Sequence, residues 1–339
     1  RGVATFSDGE QIDSGSNNTD VTVVIKLNHI SGDIIWKTTT GDFGVPTVNF
    51  RSDNSMIITS YRSGTLRFNN LNYVDGSFIS LINTVSGLSE FRDIVFENNN
   101  NVFITGRDGG ALFYNKYDSS FNLLFNMLID GTSSDEGYNL AYDSLNDLIY
   151  LSGFIGGTVN VNPLGEEYNL TSEGGTRSFI AAYDTNGQIE FGHVFSQIPG
   201  QNTGSAADVF LNILDNKLLV YGKYRGSPDL DITDDFMVPT ISTTSWKSFA
   251  SVYDLVEGPA LIGQYFFGEI NSSSSGNPSE IILNGNDLII ATDKDRTMEL
   301  YDYNQSPLVS LTNIAYENDN NYQYYSTGYN AAIYQGTIH

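Results

Sequence analysis

Cysteine is absent from the 339 residues. No disulfide, thiolate metal site or cysteine nucleophile is therefore available. Basic residues are scarce: 16 Lys and Arg stand against 40 Asp and Glu, for a formal net charge of −24. Nucleic acid and anionic membranes both require a basic footprint, so neither is an expected partner. No apolar run reaches the roughly 18 residues of a membrane-spanning helix, and no membrane insertion is expected. Histidine is limited to His29, His193 and His339. No two of these have metal-ligand spacing, and no HExxH or Ser-His-Asp order is present. Helical periodicity is missing as well. The nearest candidates, residues 83–90 and 203–210, hold no 3.6-residue repeat.

What the chain does have is Asn, Ser, Thr and Gly in quantity, with 21 Tyr and 20 Phe. That mixture suits short strands joined by polar turns. The turns recur. One unit reads Tyr138–Asp147 into Leu148–Gly153, a longer connection, then Ser178–Asp184, the turn Thr185-Asn186-Gly187, and Gln188–Phe195. These are four strands, A to D, with Asn/Asp/Gly turns at the A–B and C–D joins. The A–B hairpin recurs at 48–60, 94–106, 209–222, 281–292 and 313–328; the C–D hairpin recurs at 24–36, 114–125, 249–262 and, more weakly, 299–309.

The order of the pieces predicts the architecture. The chain opens with C–D and closes with A–B, so the two termini are expected to share one sheet, which is how a ring of blades closes and hides its sheet edges. The expectation is one all-β domain, a six-bladed β-propeller with four antiparallel strands per blade. Its blades fall at about 311–339 plus 1–41, 42–87, 88–131, 132–198, 199–270 and 271–310. Large all-β folds commonly run this long as single domains. Residues 156–177 and 224–247 read as inserted B–C loops on one face of the ring.

The unit at 138–187, with Gly157-Thr-Val-Asn-Val-Asn-Pro163 and Arg177-Ser-Phe-Ile-Ala-Ala-Tyr-Asp184, resembles the SBBP-type bacterial β-propeller repeat. That family pairs an A-x-D-x-x-x-N-x-Y-x-x-G hairpin with an F-x-A-K-Y-D-x-x-G hairpin. The likeness is good over 136–195, fair over 90–130 and 205–268, and weak elsewhere. The chain departs from the family in lacking the strand D Trp except at Trp36, and in carrying Asn162-Pro163 where Asp-Pro is common. The resemblance implies a secreted or cell-surface protein of the kind frequent in Bacteroidota and often exported by the type IX pathway. It implies no defined activity, because a fold does not fix a function.

Few residue clusters suggest chemistry. The loop Asp229-Leu-Asp-Ile-Thr-Asp-Asp235 offers Asp229, Asp231, Asp234 and Asp235 as oxygen ligands for Ca²⁺. It lacks the Gly and the bidentate Glu of an EF-hand loop. The bland reading is a solvated turn in which Asp229 replaces Asn160 of the preceding unit. The acid pairs Asp135-Glu136, Glu166-Glu167 and Asp234-Asp235 could serve glycoside hydrolysis. Gly106-Arg-Asp-Gly-Gly110 and Gly153–Gly157 open no helix and read as bends rather than phosphate loops. Trp246, placed in an inserted loop, is a candidate partner anchor. No catalytic residue and no cofactor other than Ca²⁺ is singled out. The functional expectation is a non-enzymatic extracellular or cell-surface module that binds other surface proteins or serves as a structural unit. The alternatives are a carbohydrate-binding adhesin and a polysaccharide-active enzyme using loop carboxylates.

Overall fold

In the computed structural model the described residues are 3–5, 11–13, 22–28, 33–40, 46–51, 55–131, 134–195, 205–233 and 243–269, followed by strands within 281–284, 287–292, 297–302, 309–315, 333–334 and 337–338. Every regular element among them is a β-strand. Strands β1 (Val3–Thr5) and β2 (Gln11–Asp13) pair, as do β3 (Thr22–Leu27) and β4 (Ile34–Thr40). Five antiparallel four-stranded sheets follow. The first holds β5 (Pro46–Phe50), β6 (Met56–Arg62), β7 (Thr65–Leu71) and β8 (Phe78–Ser86). The second holds β9 (Glu90–Phe96), β10 (Val102–Asp108), β11 (Ala111–Tyr117) and β12 (Leu123–Ile129). The third holds β13 (Glu136–Asp143), β14 (Leu148–Asn160), β15 (Asn169–Asp184) and β16 (Ile189–Val194). The fourth holds β17 (Ser205–Leu214), β18 (Lys217–Gly226), β19 (Thr243–Asp254) and β20 (Ala260–Glu269). The fifth holds β21 (Ile281–Asn284), β22 (Asp287–Thr292), β23 (Thr297–Asp302) and β24 (Val309–Ala315). A last pair joins β25 (Ile333–Tyr334) and β26 (Thr337–Ile338).

The sheets stack side by side like propeller blades. The opening strands β5, β9, β13, β17 and β21 touch in succession and form the inner row. Phe103 and Tyr114 of the second sheet pack with Ile149 and Phe179 of the third. Tyr150 and Phe195 of the third pack with Tyr224 and Phe249 of the fourth. The aromatic content is thus mainly filling between sheets, as the alternation of the strands implies. The N-terminal pair joins the series: Val24 and Trp36 bury against Met56, Ile58 and Leu71 of the first sheet. Trp36 also donates its indole N–H to the Tyr73 carbonyl at 3.1 Å.

Side chains of the inner row tie neighbouring sheets together. Asp93 accepts from the Leu140 amide at 2.8 Å, and Asn139 accepts from the Leu211 amide at 2.7 Å. The turns are held by acceptors the sequence supplies. Asp118 and Asp184 each accept two amides of their own C–D turn, and Asp143 accepts the Leu145 amide in the A–B turn.

Three placements differ from the sequence reading. Residues 156–177 are mostly strand, because β14 and β15 stay paired out to Asn160 and Asn169. The Gly156/Gly157 step that suggests a break is a bulge in that hairpin, and the alternating Val159, Val161 and Leu170 beyond it are buried. Trp246 likewise belongs to β19 and not to a loop. Asn313–Ala315, read as the start of the closing A–B hairpin, form the end of β24. Residues 316–332, with the rest of that hairpin, lie outside the described residues.

Candidate functional site

In each antiparallel sheet the start of the first strand, the end of the second and the start of the third come to one face. On that face the second sheet and the connections before and after it line an open cleft of about 610 Å³, formed by Ser89, Arg107, Gly109, Gly110, Asp130, Gly131 and Ser134. β10 delivers Arg107, the tight β10–β11 turn delivers Gly109 and Gly110, the connection from β8 to β9 delivers Ser89, and the connection from β12 to β13 delivers Asp130, Gly131 and Ser134. That connection is fixed by Asp135, a fully buried carboxylate that accepts from the Gly131 and Gly156 amides. The Asp135 amide in turn donates to the Gly110 carbonyl at 2.7 Å. Burial raises the Asp135 pKa, and its bonds from the Gly156 and Gly131 amides oppose the shift.

Beside the cleft four charges interlock. Arg92 pairs with Glu90 at 2.7 Å and with Glu136. Arg107 pairs with Glu90 at 2.7 Å and lies 3.8 Å from Glu136. Glu136 is buried, whereas the Arg107 side chain keeps 38% of its surface open to solvent. The Arg107 guanidinium is thus aimed, and still reachable. It lies 3.5 Å from Ser134 Oγ across the cleft wall.

Backbone bulges set the aim of these side chains. The pairing of the first two strands shifts at Thr105/Gly106, at Gly137/Asn139 and at Ala207/Phe210. Gly106 within β10 and Gly153 within β14 face the displaced backbone. A Cβ at Gly106 or Gly153 would collide with the Glu90 or Glu136 carbonyl. These two glycines therefore sit where the pairing of the first two strands shifts.

The charged belt continues round the face. The Arg92 guanidinium lies 5.5 Å from the Tyr138 ring centroid. Burial, then the charges of Glu136 and Asp208, push the Tyr138 hydroxyl up to about 12. Asp208 pairs with Lys223. Lys223 and Arg225 lie 5.5 and 4.9 Å from the Trp246 ring.

The residues singled out in the sequence fare unevenly. Asp229 accepts the Asp231 amide at 3.2 Å, just as Asn160 accepts the Asn162 amide in the preceding unit. Asp231 accepts the amide and hydroxyl of Thr233. Asp234 and Asp235 lie outside the described residues. Among the described residues no group of three or more His, Asp or Glu is placed to hold a metal ion. His193 packs against Phe195 and sits 3.4 Å from the Asp229 carbonyl; burial lowers its pKa, against the opposing pull of Asp229. His29 and His339 lie outside the described residues. Glu166 and Glu167 are exposed on the turn between β14 and β15. Sequence reasoning missed Arg107, Asp130, Glu90 and Arg92. They come from separate strands and connections and share no contiguous motif. Glu90 and Arg92 stand at the start of a first strand, Arg107 near the end of a second and Asp130 just after a fourth, so no shared position links them.

No family model matches the chain. No curated protein matches it either. Solved structures do. The periplasmic gluconolactonase PpgL of Pseudomonas aeruginosa overlaps with a TM-score of 0.53 at 13% identity, over 91% of this chain and 80% of that one. A Bacteroides uniformis protein described as a candidate 6-phosphogluconolactonase overlaps with a TM-score of 0.52 at 14% identity, over 92% and 84%. The Dos1 propeller gives 0.47 at 9% identity, over 92% of this chain and 72% of that one. At these identities the likeness is one of fold, all-β and propeller-like. It corrects the functional expectation all the same. The structures with the higher TM-scores carry the names of lactonases, not of surface adhesins, and the non-enzymatic reading falls with that. That reading rested on the lack of a catalytic motif, and a site assembled from several sheets leaves none.

Proposed function

We propose that the chain is a carbohydrate-directed hydrolase that opens a sugar lactone in the cleft at the edge of the second sheet. The observation that carries this reading is the juxtaposition of Arg107 and Asp130 in one open cavity of about 610 Å³. A volume of this order accommodates a small ligand such as a single sugar ring. In lactone hydrolysis water attacks the carbonyl carbon and negative charge gathers on the carbonyl oxygen. The ring C–O bond then breaks, and one water has been added to give a hydroxy acid. Asp130 accepts the proton of the attacking water and returns it to the departing hydroxyl. Arg107, held by Glu90, donates N–H groups to the developing oxyanion and then to the product carboxylate. Gly109 and Gly110 keep the wall open: a Cβ on either would meet no atom within 4 Å. The activity named for the two lactonase-like folds agrees with this chemistry.

The same reading takes the molecule as a closed ring of six sheets, the sixth completed by β3 and β4. Support comes from the burial of Val24 and Trp36 against the first sheet, which repeats the way each sheet packs on the next.

The test is acid release from gluconolactone and a panel of other aldonolactones, measured against spontaneous opening. Turnover above background is expected, with a fall of roughly a hundredfold or more in Arg107→Ala. A chain that releases no acid above background from any lactone of the panel refutes the proposal.

A further inference from the structure

Trp246 is half-buried on β19, and two residues two positions apart on β18, Lys223 and Arg225, place their cations 5.5 and 4.9 Å from its ring. The two cations differ in state. Lys223 is paired with Asp208 and is thereby fixed in place. Arg225 is exposed, and among the described residues no carboxylate pairs with it. A third cation stands close by. Arg177, on β15 of the neighbouring sheet, has its pKa lowered by burial and then by the charge of Arg225. Two of the chain's 16 basic residues therefore lie against one of its two tryptophans, with Arg177 within electrostatic reach of Arg225, in a molecule of net charge −24. Like charges brought together cost free energy unless an anion joins them. In a molecule with an excess of acidic residues, such a grouping of cations favours an anion at this place.

We infer that Trp246, Lys223 and Arg225, with Arg177 at the edge, form a binding subsite for a carboxylated sugar, a uronic or aldonic acid residue. The indole supplies a flat apolar wall for the C–H face of a pyranose, and the guanidinium of Arg225 supplies two parallel N–H donors for a carboxylate. A neutral sugar would use the wall and leave the cations unmatched. A bare anion would use the cations and leave the wall. The subsite binds its acid whether or not the cleft at Arg107 turns over a lactone, so the two fail separately.

The chain's tryptophan content makes the test direct. Trp36 is buried at 9% exposure in the packing of β4 on the first sheet, so a Trp36→Phe variant leaves Trp246 as the single indole reporter. Fluorescence of that variant is titrated with a trimer of galacturonic acid and, separately, with a trimer of galactose. Calorimetric titration of the unmodified chain runs alongside, in case Trp36→Phe perturbs the core. The expected result is a saturable change with the acidic trimer, weakened by added salt, weakened about tenfold by Arg225→Gln and absent with the neutral trimer. Arg225 is exposed, so its replacement leaves the fold in place. No saturable response to the acidic trimer, equal responses to both trimers, or acid binding that Arg225→Gln leaves unchanged each overturns the inference.

Discussion

Asp93 lies on the inner strand β9 and accepts bonds from the Asn139 side chain and the Leu140 amide of the next sheet. Burial is the largest influence on it and raises its pKa to about 6, against the opposing pull of those bonds. A carboxyl group with a raised folded pKa favours folding only while it is protonated. Its contribution is complete below the unfolded value near 4 and is lost as the pH rises through 6. Asp93→Asn keeps an acceptor for the Leu140 amide and does not ionise. Its melting temperature is expected to climb relative to the parent between pH 4 and 6 and to hold a constant advantage above that, worth about 2 kcal/mol. Parallel pH-dependent melts of the two proteins check this; a difference that does not vary with pH sinks it. Asp93 could not be recognised from the sequence, where it is one of 40 acids. The same holds for Arg107 and Asp130. Which acid or base matters depends on which strands meet, and nothing local to the residue records that.

Strands and turns were far more legible. Period-2 alternation and Asn/Asp/Gly turns located the sheets because both signals are local. Asp118, Asp143 and Asp184 act in their turns as their residue types suggest. The long B–C connections were misread for an equally physical reason. Gly156-Gly157 looks like an end to pairing, yet Gly157, at φ +79°, sits at a bulge that lets pairing resume. A different glycine gives the prediction at this scale. Gly137 approaches Thr105 of the preceding sheet so closely that a Cβ would collide with its hydroxyl, which is fixed by donation to the Phe113 carbonyl at 2.8 Å. Gly137→Ala is expected to cost about 2 kcal/mol, as overpacking does, read as a lower denaturant midpoint with an unchanged slope. A midpoint equal to the parent's would mean that the two sheets are not held this tightly.

For the whole molecule, the repeat order suggested a ring, and the packing of β3 and β4 on the first sheet places the N-terminal pair next in the series of sheets. Ring closure makes a distant prediction. If the C-terminal residues complete the sheet that β3 and β4 begin, removing residues 316–339 deprives those two strands of their neighbours. Amide exchange over 22–40 should then quicken toward the rate of a frayed terminus, while exchange in β9–β16 changes little. Undiminished protection of 22–40 in the shortened chain would contradict closure. A propeller-like array also explains why the site eludes motif reading. Its residues converge on one face from β9, β10, β13 and the connections that precede β9 and β13, no more than a few from each. The measurement that tests the central claim most directly is the rate of acid release from aldonolactones by the unmodified chain and by Asp130→Asn. Asp130 is an exposed side chain on the cleft wall, so its loss as a base should leave the fold alone. The account predicts a rate above spontaneous opening that falls by roughly a hundredfold in the variant. Equal rates in the two proteins, or none above background in either, would contradict it.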